Sequence, residues 1–268
     1  MRKVKNLSLL CDGNVKKIKV EKGNKYFSDY DNALYNKRKT KLYACPEGKT
    51  NILLPAALTS IGSGSDDVDE LDEMFGKVKE IQVKTGNKKY SSYKGLLYNK
   101  KVTKVLFCTK NKKTVVLPKT VKRIEKYAFY GCNKLKNITF PEKLDELAQF
   151  SFKNCSSLEY VKFPDDAGKT SDDFKKRICI YPLAFMNCSS LKWVYAPENM
   201  YFWGEANKWI FIGCNNLKDI YYSGSENEWL DCVNQSVLDD LWELYSDYKN
   251  SMTVEPLITI HFEAKAPL

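Results

Sequence analysis

The sequence predicts a mainly β, repetitive fold with short helical or irregular coils between its strands. Three observations predict it: a long duplication in the first half, a shorter period in the second half, and an apolar pattern at that period which alternates as in a strand. A chain of 268 residues forms one large domain or two small ones. With 43% hydrophobic and 13% aromatic residues, the chain can build a core and does not have the composition of a disordered protein.

The duplication joins residues 15–55 to residues 78–118 at a constant offset of 63, without a gap, and 19 of the 41 aligned positions are identical. Each copy predicts a β-hairpin, because two apolar runs flank a polar turn. The turns lie at Asn36–Lys39 in the first copy and at Asn99–Lys101 in the second. Between the copies, the acidic residues 63–73 predict a loop that leads into a short helix.

The second half repeats at a shorter period, with coils at residues 117–140, 140–163, 163–196 and 196–222; the third coil carries an insertion at residues 165–176. Each coil has a phenylalanine three positions before a cysteine, followed by a Leu-x-x-Ile/Val pattern; the cysteines are Cys132, Cys155, Cys188 and Cys214. A period of 20 to 29 residues with such cores is typical of leucine-rich repeats, in which each coil adds one strand and its neighbours complete the core. We therefore predict a right-handed leucine-rich repeat solenoid with a parallel concave sheet, two hairpin insertions and a helical C-terminal cap.

The pattern LPxxVxxIxxxAFxxCxxLxxIxF resembles the BspA-type leucine-rich repeat of bacterial, and some protist, surface proteins. The GNKxxSxYxxxLYNK segment of the duplicated unit and the run from Tyr221 to Trp229 also resemble elements of that family, so the resemblance covers roughly residues 12–262. Residues 54–83 lack the AFxxC signature. The resemblance implies an extracellular or cell-surface setting and adhesion to a host protein, a glycan or another cell.

Residues 1–224 are predicted to form the solenoid and residues 225–268 its cap. Ser225 begins a helix, with Glu228 three residues later as in a capping box. Apolar residues then recur at helical spacing, at Leu238, Leu241, Trp242 and Tyr245. A strand at residues 257–262 would follow, and the two elements together would cover the core of the last coil.

The cysteine and histidine content argues against several kinds of site. Nine cysteines without a CxxC pair favour buried core positions, one per coil, over disulfides or a zinc ribbon. The single histidine, His261, excludes zinc sites with two or three histidine ligands, and we expect it to be an ordinary strand-end residue. The sequence has neither a phosphate-binding loop nor a nucleophile elbow. We therefore predict a non-enzymatic protein with no cofactor and no bound metal.

The predicted ligand-binding surface follows from strand alternation. The residues before and after the buried Ile or Val of each coil should face outward on the concave sheet. In the last three coils these residues are Tyr160, Lys162, Trp193, Tyr195, Asp219 and Tyr221. Aromatic anchors are enriched at recognition hot spots. Two alternatives are that the insertion or the C-terminal helix covers the rings, and that aromatic residues are present only because they suit strands.

Two other functions remain open. The net charge is +10 with a pI near 9.0, which suits acidic partners. A lysine-rich stripe for polyanions would comprise Lys100, Lys101, Lys104, Lys112, Lys113, Lys122 and Arg123, unless these residues only form a solvated surface. Nucleic acid is a poor candidate because no aromatic residues are interleaved with the charges as in RNA-binding modules. The third function is a structural stalk that spaces another domain from the cell surface.

No apolar run reaches the roughly 20 residues that a membrane span needs. The apolar stretch after the basic N-terminus is also shorter than the core of a signal peptide. We therefore expect either that the protein is not secreted or that its signal is not part of this chain, and the family resemblance favours the second. The sequence makes no prediction of the oligomeric state.

Overall fold

The computed structural model describes residues 15–62, 69–165, 178–202, 210–232 and 258–267. The chain divides into two compact units, residues 1–110 and 111–268, which are described separately. The described residues form nineteen short strands and two helices of seven residues. The prediction of a mainly β fold is therefore confirmed, whereas the predicted boundary at residue 224 stays a prediction.

The first unit consists of short strands and one helix. Its elements are β1 (Phe27–Tyr30), β2 (Ala33–Asn36), β3 (Lys41–Ala44), β4 (Asn51–Leu54), β5 (Ser60–Ile61), α1 (Asp69–Phe75), β6 (Glu80–Val83), β7 (Tyr90–Tyr93), β8 (Leu96–Asn99) and β9 (Lys104–Cys108). Strands β1, β2 and β3 pair antiparallel in order, and β7, β8 and β9 do the same. Strand β3 pairs parallel with β5, and β4 with β6. Helix α1 begins within the acidic segment, where the sequence predicts one.

The duplicated sequence builds the same turn twice. The Asn36 Oδ1 accepts hydrogen bonds from the backbone N–H groups four and five positions later, at 2.8 and 3.1 Å. Asn99 does the same at 2.8 and 3.0 Å. Lys39 and Val102, also 63 positions apart, have positive φ angles of 58° and 53°. The asparagine therefore satisfies the N–H groups that such a tight turn leaves without a strand partner.

Asn87 ties the second hairpin to the preceding coil. Its side chain is 1% exposed. Its Oδ1 accepts from the N–H groups of Lys89 and Tyr90 at 2.8 and 2.7 Å. Its Nδ2 donates to the carbonyls of Pro55 and Leu58, both at 3.0 Å. One buried amide thus makes four hydrogen bonds, and two of them reach a segment about 30 residues earlier in the sequence.

The second unit is built from parallel strands. Its elements are β10 (Thr114–Val116), β11 (Arg123–Ile124), β12 (Asn137–Thr139), β13 (Glu146–Leu147), β14 (Tyr160–Lys162), β15 (Ile178–Ile180), β16 (Trp193–Ala196), β17 (Met200–Phe202), β18 (Asp219–Tyr222), α2 (Glu226–Cys232) and β19 (Thr259–His261). Every strand pair described within this unit is parallel: β10–β12, the series β11–β13–β15–β17, and the series β14–β16–β18–β19. Successive coils thus contribute strands in a repeating manner.

Equivalent core residues of successive coils form two columns. The rings of Phe129, Phe152, Phe185 and Phe211 stack with centroid distances of 4.7, 5.2 and 5.7 Å. Beside them, each cysteine thiol lies against the backbone carbonyl of the phenylalanine one coil earlier. The three distances, for Cys155, Cys188 and Cys214 in order, are 3.1, 3.2 and 3.1 Å. Cys132, Cys155, Cys188 and Cys214 are all buried, which confirms their prediction as core residues.

We expect these four thiols to be unreactive in the folded protein. They lie out of reach of a water-soluble reagent, and burial raises the pKa of the Cys188 thiol, which disfavours the reactive thiolate. Labelling with a charged thiol reagent, followed by peptide mass mapping, checks this. The same residues should label completely in denaturant. Fast labelling of any of the four under native conditions would contradict their placement.

The start of α2 follows the predicted capping box. The Ser225 N–H donates to Glu228 Oε2 at 2.8 Å, and the Glu228 N–H donates to Ser225 Oγ at 3.4 Å. The hydrogen bonds that the Ser225 N–H and the Ser225 hydroxyl donate to this carboxylate hold the pKa of Glu228 below its ordinary value. Trp229 is buried and packs edge to face against Tyr222 at 5.1 Å. The rest of the predicted helix, with Leu238, Leu241, Trp242 and Tyr245, lies outside the described residues. Strand β19 lies where a final strand is predicted.

Candidate recognition surface

The parallel sheet β14–β16–β18–β19 carries the residues that the sequence analysis selected. Its register places Trp193 between Tyr160 and Asp219, and places Tyr221 beside His261. The apolar residues between these positions are buried, so the alternation of inward and outward side chains is as predicted for these strands. Parallel strands lie about 4.8 Å apart, which is also a favourable distance for stacked rings.

Four rings form a continuous row, here called the aromatic ladder: Tyr160, Trp193, Tyr221 and His261. Tyr160 and Trp193 are stacked at 4.8 Å with 9° between their planes. Trp193 and Tyr221 meet edge to face at 6.2 Å and 88°. Tyr221 and His261 are stacked at 4.6 Å and 9°. All four residues are partly exposed, so the row is accessible among the described residues.

His261 ends β19, as the sequence predicts, and the structure also places its ring in the ladder. Its Nε2 lies 2.9 Å from Asp219 Oδ1, so one polar pair adjoins the rings. The sequence signal for this position was the alternation from Ile258 to Phe262. That alternation indicated a strand, but it did not indicate which strand would be its neighbour.

Tyr195 lies level with Tyr221 on the predicted face of the sheet, but it is covered there and not exposed as predicted. It is 4% exposed, and its hydroxyl donates to the Asp165 carboxylate. Burial and this hydrogen bond raise the pKa of Tyr195 to about 12. Asp165 is the first residue of the predicted insertion, whose residues 166–176 lie outside the described part of the chain. Through Asp165, the alternative that the insertion covers the predicted surface holds for Tyr195.

Positive charge lies beside the ladder. Lys162, at the end of β14, is exposed. A second row is formed by the residues that come directly before successive strands: Lys136, Glu159, Lys192 and Lys218. A backbone hydrogen bond of 2.9 to 3.0 Å joins each residue of this row to the next. Glu159 is the only acid of the four; its carboxylate pairs with Lys136 at 3.0 Å and lies 4.0 Å from Lys192. The hydrogen bond from Lys136 lowers the pKa of Glu159. In this second row, three lysines thus stand against one acid.

The residues of the predicted lysine stripe fall into both units. Lys100, Lys101 and Lys104 are exposed at one end of the second hairpin in the first unit, whereas Lys112, Lys113, Lys122 and Arg123 belong to the second unit. Arg123 lies between two carboxylates: its guanidinium pairs with Glu146, and its Nε is 3.1 Å from Glu125 Oε2. The Arg123 charge is therefore already neutralised within the protein.

Neither a metal-binding cluster nor a membrane-spanning helix is found among the described residues. No group of three or more histidine, cysteine, aspartate or glutamate side chains could hold a metal ion in the part of the chain that the structure describes. Among those same residues, no helix has the length and apolar character needed to traverse a bilayer.

The stacked parallel strands with one Leu/Ile/Phe core set per coil define the class of a leucine-rich repeat protein. Residues 100–231 match the family model of the BspA type leucine rich repeat region, in six copies. The chain is therefore a BspA-type leucine-rich repeat protein over this part of its length. A search of curated proteins gave no match.

Three solved structures resemble this chain. The pneumococcal vaccine antigen PcpA is 22% identical with a TM-score of 0.53, and the match covers 67% of this chain and 40% of that one. A leucine-rich repeat protein from Eubacterium ventriosum is 21% identical with a TM-score of 0.48, over 68% of this chain and 48% of that one. A leucine rich cell surface protein from Faecalibacterium prausnitzii is 23% identical with a TM-score of 0.49, over 69% and 50%. The chain thus spans half or less of these proteins, and the likeness to PcpA supports the fold alone.

Proposed function

We propose that this chain is a non-enzymatic recognition protein of a bacterial cell surface that binds a protein partner through the aromatic ladder. BspA-type leucine-rich repeat proteins are bacterial surface proteins, and this family suggests protein interaction or adhesion. We further propose that the parallel strand series belong to a right-handed solenoid, with the ladder on its concave face, the two hairpins as insertions and residues 225–268 as its cap.

The ladder itself is the observation that carries this proposal. Its rings stand on the opposite side of the strands from the buried Val161, Val194 and Ile220, so the core does not require them. Partly exposed aromatic side chains bury much area at a low cost in side-chain entropy, and for that reason they are common hot spots in protein interfaces.

The orientation of the rings favours a protein over a glycan. Sugars bind to aromatic side chains by covering an open ring face. In the ladder, Tyr160 covers a face of Trp193, and His261 covers a face of Tyr221. The rings thus present mainly their edges, which carry partial positive charge and suit carbonyl and carboxylate oxygens. The lysines at the start of the strands favour an acidic partner surface in the same way.

The proposal is tested with a panel of matrix proteins and mucins, measured at low and high salt with the purified chain. We expect Trp193→Ala to weaken binding by about tenfold or more, as for a hot-spot residue. The matched control is Tyr26→Ala, since Tyr26 is 64% exposed in the first unit and lies outside the ladder. This control should bind as the unchanged protein does.

Three outcomes would contradict the proposal. Equal binding by Trp193→Ala and the unchanged chain would exclude the ladder as the site. Binding that is retained in Trp193→Ala but abolished by salt would point to the lysine-rich alternative. A complete lack of binding across the panel would favour the structural stalk.

A further inference from the structure

The second hairpin is unusually positive. Residues 81–110 contain eight lysines and no aspartate or glutamate, whereas the whole chain has a net charge of +10. The other residues together therefore contribute only +2. This concentration lies in the first unit, whereas the aromatic ladder belongs to the second.

The first copy of the hairpin shows how such a segment can be neutralised. There, Asp29 pairs with Lys19 at 3.4 Å, and Asp31 pairs with Lys49 at 3.1 Å. Asp29 also has a structural function, since its Oδ1 accepts a hydrogen bond from the Val20 N–H at 3.1 Å.

The second copy keeps this structural contact but not the charge. Ser92 occupies the position of Asp29, and its Oγ accepts from the Val83 N–H at 2.9 Å. Lys94 occupies the position of Asp31, which reverses the charge there. The Ser92 hydroxyl therefore accepts the hydrogen bond that the Asp29 carboxylate accepts in the first copy, so the fold does not require an acid at this position. The second copy thus lacks the two acidic side chains that the first copy has at these positions.

Four of these lysines, here called the lysine cluster, lie together where the turn between β8 and β9 meets the start of β7: Lys88, Lys89, Lys100 and Lys101. The Lys100 N–H donates to the Lys89 carbonyl at 2.7 Å, so the two strand ends are adjacent and the remaining two lysines directly flank them. All four are exposed. None of the ion pairs found between described residues involves them. Neighbouring ammonium groups repel one another, and a bound polyanion would relieve this repulsion.

We propose that the lysine cluster is a second binding site, separate from the ladder, for an acidic polysaccharide that carries sulfate or carboxylate groups. Lysine is a compact and flexible point charge, which suits the dispersed charges of such a chain better than the paired contacts that arginine makes with phosphate. Lys94 extends the site to the other end of β7, about 13 Å away for four extended residues.

The aromatic residues nearby disfavour nucleic acid as the ligand. Single-stranded nucleic acid is held by exposed rings on which its bases stack. In this hairpin, Tyr90 and Tyr98 are buried, and the half-exposed Tyr93 has the Lys94 ammonium group 5.2 Å from its ring centroid. The cluster thus offers charge without a stacking platform.

Heparin is the probe for this site, and the variant replaces Lys88, Lys89, Lys100 and Lys101 with glutamine in the full chain. We expect binding at low salt that falls steeply with added salt, and about a tenfold or greater loss in the variant. The matched control removes four exposed charges from the first copy, through Lys17→Gln, Lys22→Gln, Lys25→Gln and Arg38→Gln. The control should lose less than about threefold, because only the net charge of the chain changes.

The proposal is overturned if both variants lose binding equally, since the effect would then belong to the net charge. It is also overturned if the unchanged chain does not bind heparin at low salt. Desulfated heparin should bind more weakly than heparin. A single-stranded DNA of similar charge that binds more tightly than heparin would reject the polysaccharide and assign the cluster to nucleic acid.

Discussion

Replacing Phe152 with alanine is expected to lower the free energy of unfolding of the second unit by about 3 to 5 kcal/mol. Phe152 is fully buried between Phe129 and Phe185, at centroid distances of 4.7 and 5.2 Å. Phe140 meets it edge to face at 6.0 Å. Removing the ring leaves a cavity that stacked coils on both sides cannot easily close. Thermal unfolding followed by circular dichroism should show a midpoint lowered by roughly 10 °C.

Two variants separate the loss of the ring from other effects. Phe152→Leu retains most of the apolar volume and should cost about 1 to 1.5 kcal/mol. Phe211 lies at the end of the described stack, has one stacked neighbour at 5.7 Å and is partly exposed. Phe211→Ala should therefore lower the free energy of unfolding clearly less than Phe152→Ala does. Similar losses for Phe152→Ala and Phe211→Ala would contradict a stack in which inner rings contribute more.

Replacing Asn87 with alanine is expected to lower the free energy of unfolding by about 3 kcal/mol, since several buried groups lose their partner at once. The N–H groups of Lys89 and Tyr90 and the carbonyls of Pro55 and Leu58 all hydrogen-bond to this amide, and the Pro55 carbonyl also accepts from the Leu58 N–H. Urea unfolding followed by far-ultraviolet circular dichroism measures the effect, because this signal reports on the backbone of the first unit, which contains Asn87.

The internal duplication supplies the control for Asn87. Asn24 holds the same position in the first copy, is partly exposed, and accepts from the N–H groups of Tyr26 and Phe27, each at 2.9 Å. Asn24→Ala should therefore cost about 1 kcal/mol. Equal losses for Asn24→Ala and Asn87→Ala would mean that the hydrogen bonds from Asn87 to the preceding coil contribute little to stability.

The repeating features could be predicted from the sequence because the same residue pattern recurs in each coil. The burial of Cys132 and its equivalents follows from their fixed spacing to a phenylalanine and a leucine. The helix start at Ser225 follows from a local rule that links two residues in one turn. Such features depend on contacts within one coil or between equivalent positions of neighbouring coils, which a periodic sequence specifies directly.

The features that could not be predicted depend on contacts that the period does not specify. His261 joins the ladder through a strand 42 residues after Asp219, and no repeat signal sets that register. Tyr195 has the alternation of an outward-facing residue, but alternation does not indicate that Asp165 will cover it. Lys88 and Lys89 lie beside Lys100 only because β7 and β8 pair antiparallel. The predicted stripe instead grouped lysines by their order in the sequence.

The column of buried thiols has a consequence for how the second unit would age in an oxidising environment. A thiol held against a carbonyl of the neighbouring coil meets oxidants only when that coil detaches. Once converted to a sulfinic or sulfonic acid, the enlarged and charged group no longer fits the slot, so a single opening event becomes permanent damage. In such an environment, the lifetime of the protein would then depend on how rarely its coils open, and the oxidation state of each cysteine would record which coil opened first.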